Sequence, residues 1–122
     1  MLTPAALRRS CLDFAGAGEE FPFGEGVSVF KVRGKMFALS SLAARPLTVS
    51  LKCEPEIAER LRAGYAAVRP GYHLNKRHWN TVELDGSLPD RLVLDLIEDS
   101  YDLVVAGLPQ RVQAELGWPP AR

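Results

Sequence analysis

Residues 27–53 alternate apolar and polar side chains in three runs, and this pattern constrains the fold more than any other part of the chain. Val27 to Leu42 predicts a β-hairpin, with Arg33-Gly34 as its turn because glycine tolerates the positive φ of a tight turn. Leu47 to Cys53 alternates in the same way and predicts a half-buried strand. Successive strands joined by short connections indicate an antiparallel sheet.

Three further segments repeat apolar residues at helical spacing and predict helices that cover this sheet. The first begins at Thr3-Pro4 and the second at Pro55, which suits the first turn of a helix. The third follows Ser87 and Asp90, which resemble a capping box. The predicted core-facing residues of the three helices are Leu7, Cys11 and Phe14; Ile57, Leu61 and Tyr65; and Val93, Leu96, Ile97, Ser100, Val104 and Leu108.

Two segments between and after these elements are less regular. Residues 16–26 are rich in glycine and predict a loop, which Phe21 and Phe23 would anchor to the core on either side of Pro22. Residues 110–116 suit a short helical turn. Residues 117–122 form a tail, and Trp118 within it either docks by its indole or frays with the rest.

Length and composition indicate one globular domain over residues 1–122. The chain has 122 residues, of which 47% are hydrophobic and 25% charged, as in ordinary soluble proteins. We therefore expect an α+β fold with an antiparallel sheet of about five strands covered by helices. No signal peptide and no run of ~20 apolar residues is present, so we expect a cytoplasmic protein without a membrane partner. Cys11 and Cys53 are expected to be reduced, small buried residues.

The stretch from Arg69 to Leu84 concentrates more functional groups than any other. It contains both histidines of the chain, His73 and His78, together with Trp79 and a Lys76-Arg77 pair. Tyr72 to Leu74 and Trp79 to Leu84 predict strands, and residues 75–78 a polar connection between them. Trp79 could hold its strand in the core or stack on a nucleic-acid base.

Charges are unevenly distributed along a chain whose formal net charge is zero. Residues 27–53 and 69–82 hold lysines and arginines but no acidic residue, whereas residues 83–105 are strongly acidic. The neutral sum counts against strong non-specific binding of nucleic acid. A local positive face remains one interpretation, and charges paired across the fold or solvated remain the other.

The residues that usually carry catalysis or bind metals do not form a recognisable pattern. His73 and His78 lie five positions apart without the additional ligands that a zinc site needs. Serines lie in no nucleophile elbow, and Cys53 shows no sign of activation. We therefore predict no catalytic residue, metal or cofactor, while a general acid or base role for either histidine stays a third possibility.

The order Pro-Gly-Tyr-His-Leu-Asn-Lys-Arg-His-Trp at residues 70–79 resembles the signature of the MmcQ/YjbR family. Residues 20–24, 30–39, 50–53 and 100–104 are similar to other segments of that family. Leu74 stands where the family often has Met, and Ala15 where Pro is common before Gly16. The resemblance implies a CyaY-like fold and a non-enzymatic, DNA-binding role through two wing-like hairpins, often called a double wing.

The leading hypothesis from the sequence is therefore a single-domain DNA-binding protein. Its nucleic-acid-binding residues would be Lys31, Arg33 and Lys35 on the first hairpin, with Lys76, Arg77, His78 and Trp79 in the central stretch. The alternative is a small-molecule or protein-binding module that uses a pocket beside the Pro-Phe-Gly loop. The basic strands support a positive face, while the DNA assignment comes from the family resemblance.

Overall fold

The computed structural model describes residues 1–71 and 74–120, which form a six-stranded antiparallel sheet and four helices. The strands are β1 (Ala17–Glu20), β2 (Ser28–Val32), β3 (Lys35–Ser40), β4 (Thr48–Lys52), β5 (Val68–Pro70) and β6 (Trp79–Glu83). The helices are α1 (Pro4–Leu12), α2 (Pro55–Gly64), α3 (Asp90–Ala106) and α4 (Gln110–Glu115). The strand order is β1-β2-β3-β4-β6-β5. The α+β class predicted from the sequence is confirmed.

The sixth strand arises because part of the predicted loop over residues 16–26 is a strand. β1 pairs with β2 from Ala17 opposite Val32 to Glu20 opposite Val29. Its sequence, Ala-Gly-Glu-Glu, has low intrinsic β-propensity. Tertiary contacts select the conformation, since the Glu19 carboxylate accepts hydrogen bonds from Ser28 Oγ and Arg8 Nε, each at 2.7 Å.

The Pro-Phe-Gly segment does not anchor to the core as predicted. Phe21 and Phe23 expose 49% and 68% of their surface. Two tight turns shape the segment, with Gly24 N donating to Phe21 O and Val27 N donating to Gly24 O, each at 3.2 Å. The chain reverses direction beyond the end of the sheet, so these two rings have no core surface to pack against.

A β-bulge on β3 places two successive residues in the core. Phe30 pairs with Ala38, and the next pair is Lys31 with Met36, so Phe37 is an extra residue. Both Phe37 and Ala38 are fully buried, whereas regular alternation would place one of them on the opposite face. Phe37 packs edge-on against Tyr101 of α3, with ring centroids 5.4 Å apart.

Ser100 of α3 closes the gap that this bulge leaves between β3 and β4. The β3–β4 pairing runs from Leu39 opposite Ser50 to Ala38 opposite Leu51 and ends there. Just beyond it, Ser100 Oγ donates to Phe37 O at 2.6 Å and accepts from Lys52 N at 2.8 Å. The serine hydroxyl therefore replaces the missing backbone link between the two strands, and Ser100 is fully buried.

The helix faces match the prediction for α3 and differ for α2. Val93, Ile97, Ser100 and Val104 of α3 are buried as expected. In α2 the buried residue is Ala58, whereas the predicted core residues Ile57 and Tyr65 are 44% and 39% exposed. Helix α2 lies near the edge strand β5, so only a narrow side of it is covered.

The predicted start of α3 and the predicted C-terminal segment have different outcomes. The capping box is wrong: α3 begins after Pro89 without a side-chain cap, and Ser87 Oγ donates instead to Asp85 Oδ1 at 2.6 Å. Trp118 docks by its indole, because its Nε1 donates to Asp102 Oδ1 of α3 at 2.8 Å. Within the described ranges, no helix is long and apolar enough to cross a membrane.

Candidate functional site

The β2–β3 and β5–β6 hairpins both turn at the same end of the sheet. β4 pairs antiparallel with β6, from Thr48 opposite Glu83 to Lys52 opposite Trp79. The chain before Trp79 therefore extends beyond the Lys52 end of β4. The β2–β3 turn lies beyond the same end of the sheet, past the last β3–β4 pair. Only β4 lies between β3 and β6, so the nearest strands of the two hairpins are about two strand spacings apart, ~10 Å.

The β2–β3 turn has the backbone predicted for it, with positive φ at both Arg33 (49°) and Gly34 (80°). Its basic side chains differ in their partners. Lys31 Nζ lies 3.2 Å from Glu20 Oε1, and Arg33 Nη1 lies 3.0 Å from Glu115 Oε1 of α4. Lys35 is exposed. No carboxylate pairs with it among residues 1–71 and 74–120.

Close contact between Gly71 and Trp79 closes the β5–β6 hairpin. Gly71 N donates to Trp79 O at 2.9 Å. A Cβ atom on Gly71 would lie 2.8 Å from Trp79 Cβ and 3.0 Å from Trp79 O. Only glycine leaves room for this approach without displacing the backbone. The strand predicted over residues 72–74 is displaced, since β5 ends at Pro70. Tyr72 and His73 lie outside the part of the chain that the structure describes.

Asn75 and Arg62 hold the described part of this hairpin connection, residues 74–78. Asn75 Oδ1 accepts from Arg77 N at 2.9 Å, which is an Asx turn. Arg62 of α2 reaches the connection from the helical face, where its Nη2 donates to Lys76 O. The same guanidinium donates through Nε to Asn80 Oδ1 at 2.6 Å. These contacts fix the backbone that carries Lys76 and Arg77.

The sequence did not single out Arg62, because the apolar face of α2 was predicted one position away. Arg62 lies four residues after buried Ala58, so helical spacing places the two on the same side of α2. Asn80 Nδ2 also donates to Ala58 O, at 3.4 Å. The signal available in the sequence was therefore the i,i+4 relation of an arginine to a small residue, which becomes informative only once Ala58 is known to be buried.

The four predicted site residues of the central stretch fall into two groups. Lys76 and Arg77 are exposed, and no described carboxylate forms an ion pair with either. His78 is half-buried, and its carbonyl oxygen accepts from Cys53 N at 2.7 Å. Trp79 is only 9% exposed. The indole thus holds β6 in the sheet and offers little surface on which a base could stack.

The ion pairs of Lys31 and Arg33 leave both cations open to exchange. The Arg33 and Glu115 side chains are 44% and 49% exposed, and that of Glu20 is 56% exposed. Solvent-exposed ion pairs contribute only about 0–1 kcal/mol to stability. An anion with several charges could therefore replace Glu20 or Glu115 as the partner at a small cost in free energy.

The described residues do not bring together a metal site or an activated nucleophile. They hold no cluster of three or more potential metal ligands. Burial, with the charge of Glu19, raises the pKa of the Cys11 thiol to about 12. Burial and the charge of Asp99 raise the pKa of the Cys53 thiol as well. Both groups are therefore protonated thiols near neutral pH and poor nucleophiles.

The chain is similar to proteins of known sequence along most of its length. A family model described as YjbR matches residues 12–103. The protein YjbR of Escherichia coli (strain K12) is 39% identical over 109 residues, which cover 89% of this chain and 92% of that protein. YbdF of Escherichia coli O157:H7 is 41% identical over 93 residues, which cover 76% of each chain.

Solved structures agree with this relationship. A crystal structure of Deinococcus radiodurans protein DR2400 matches with a TM-score of 0.92 and 41% identity, covering 100% of this chain and 93% of that one. A Pseudomonas syringae protein matches with a TM-score of 0.65 and 30% identity over 79% of this chain and 97% of that one. The family match, the sequence identities and the shared fold agree, and the chain belongs to the YjbR family.

Proposed function

We propose that this protein is a non-enzymatic DNA-binding protein that contacts backbone phosphates through its two basic hairpins. The observation that carries the proposal is the shared end of the sheet at which both hairpins turn. Exposed Lys35 lies on one hairpin, and exposed Lys76 and Arg77 lie on the other. Cations without a carboxylate partner are suited to phosphate oxygens, which receive much of the hydrogen bonding in protein–DNA complexes.

The other predicted contacts take secondary roles in this proposal. Lys31 and Arg33 join the interface by exchanging Glu20 and Glu115 for phosphates, so each contributes less net affinity than Lys35. His78 and Trp79 act through the backbone, because both side chains are at least half-buried. The zero net charge predicts weak to moderate affinity, since distant acidic residues oppose the approach of DNA.

Fluorescence anisotropy of a labelled duplex at two or more salt concentrations tests the proposal. Binding should weaken steeply as salt rises, because each cation that binds a phosphate releases condensed counterions. Replacing Lys76 and Arg77 together with Ala should weaken binding to all duplex sequences alike. It should also lower the salt slope by up to about two units, roughly one for each cation that no longer binds a phosphate.

The matched control replaces Arg9 on α1 and Arg91 on the first turn of α3 with Ala. It removes the same two charges from exposed positions of the helical layer. Circular dichroism establishes that each variant is folded. Equal loss of affinity in both double variants would indicate a dependence on net charge alone, and absence of binding by the wild-type protein at low salt would refute DNA binding.

A further inference from the structure

A cavity of about 340 Å³ lies on the helical face, and neither Lys76 nor Arg77 lines it. It is bounded by the segment from β4 into α2, by the second half of α3 and by the C-terminal segment that carries Trp118. Its size is within the range of small-molecule sites, about 300–1,000 Å³. The predicted pocket beside the Pro-Phe-Gly loop is a different site and stays a prediction.

Apolar side chains form much of the wall. Ile57, Leu103 and Ala106 line the cavity. Ile57 is 44% exposed, although isoleucine is among the residues most often buried. Its aliphatic surface faces a concave space instead of the core, which explains why the predicted face of α2 failed at this residue. An apolar ligand group placed here would remove that surface from water.

A fixed aromatic ring forms another part of the wall. Trp118 lines the cavity, and its Nε1 donates to Asp102 Oδ1 at 2.8 Å. This hydrogen bond ties the C-terminal segment to α3 and restricts the indole. A tryptophan ring attracts cations that approach its face, with about 0.5–1 kcal/mol at exposed sites and more where water is excluded.

The charges that line the cavity are all negative. Glu54, Asp99 and Asp102 contribute carboxylates, and no described lysine or arginine lines the cavity with them. Within residues 1–71 and 74–120, Asp99 has neither a hydrogen-bond donor nor an ion-pair partner. Partial burial, with the charges of Asp102, Glu98 and Asp95, raises the pKa of Asp99. A cation placed beside Asp99 would relieve this repulsion.

We infer that the cavity binds a small organic cation, an amine or guanidinium group attached to an apolar body. Asp99 and Asp102 flank the charged group and the Trp118 ring lies beside it. Ile57, Leu103 and Ala106 receive the apolar body. Three features agree on this ligand class: concave apolar walls, an indole anchored by Asp102, and carboxylates that no described lysine or arginine in the cavity wall compensates. This site is distinct from the two basic hairpins, which would reject a cation.

Isothermal titration calorimetry with phenethylamine tests the inference. Phenethyl alcohol has the same body without the charge, and ethylamine has the charge with little apolar body. We expect saturable binding of phenethylamine and at least about tenfold weaker binding of both comparison compounds. A tenfold difference in affinity corresponds to about 1.4 kcal/mol. Equal binding of the alcohol, or no saturable binding of the amine, would overturn the inference.

Variants locate the site. Asp99→Asn should weaken phenethylamine binding about tenfold, and Ile57→Ala should weaken it because less apolar surface faces the ligand. Glu98→Gln is the matched control, because Glu98 is the preceding acidic residue of α3 but does not line the cavity. Equal weakening in Glu98→Gln and Asp99→Asn would refute the site. If a lysine-containing tripeptide binds and phenethylamine does not, the small-molecule assignment is refuted.

Discussion

The Ser100 hydroxyl provides the most direct test of how α3 is joined to the sheet. In Ser100→Ala, Phe37 O loses a buried hydrogen bond of 2.6 Å and Lys52 N loses a partly buried one of 2.8 Å. A buried polar group without a partner costs about 1–3 kcal/mol. With one group fully buried and the other partly buried, we expect the free energy of unfolding to fall by about 2–4 kcal/mol.

Urea denaturation followed by circular dichroism measures this change. With a slope of about 2 kcal/mol per molar urea, the midpoint should fall by about 1–2 M. Amide hydrogen exchange adds a local readout, because Lys52 N–H loses its acceptor and should exchange faster than its strand neighbours. This local change separates a broken link between β3 and β4 from a general loss of stability.

Ser10→Ala is the matched control for Ser100→Ala. Ser10 Oγ donates to Ala6 O at 2.9 Å within α1 and is half-buried. Its removal leaves no backbone group dependent on it, and alanine favours the helix, so stability should change by less than about 0.5 kcal/mol. If Ser100→Ala is equally mild, the serine is dispensable and the proposed link between the strands is wrong.

Three further perturbations test the core, the second hairpin and the cysteines. Ile97→Asp should unfold the domain, because Ile97 is 0% exposed and an unpaired buried charge is costly; an unchanged thermal midpoint would contradict the helix register. Gly71→Ala should lower the free energy of unfolding by about 1–3 kcal/mol, because its Cβ would lie 2.8 Å from Trp79 Cβ. The control Gly64→Ala has nothing within 4 Å of the added atom and should be neutral or slightly stabilising. Similar thermal midpoints for the two variants would show that the hairpin tolerates the extra atom. Thiol titration after denaturation without reductant should find two reactive groups. In the native protein Cys11 should react slowly or not at all, because burial holds its pKa at about 12. Fast reaction of both thiols in the native protein would contradict their burial.

The sequence by itself determined the elements whose periodicity is strong. The β2–β3 hairpin with its Arg33-Gly34 turn, the alternating strand β4 and the core stripe of α3 follow from local side-chain patterns, and the structure has all three. The distribution of charges along the chain identified the basic segments, and the resemblance to the YjbR family identified the signature at residues 70–79. The hairpin, the strand and the helix stripe could be predicted because their cause, turn geometry or amphipathic spacing, is contained within a few neighbouring residues.

Only the tertiary structure decided the features that depend on a distant partner. β1 is a strand because the edge of β2 is available to it, although its own residues favour a loop. The bulge at Phe37 needs Ser100 from α3, and the exposed position of Ile57 follows from how α2 lies beside the edge of the sheet. The shared end of the two hairpins comes from the β4–β6 register. Local patterns do not specify such pairings, because the contacting residues are far apart in the chain.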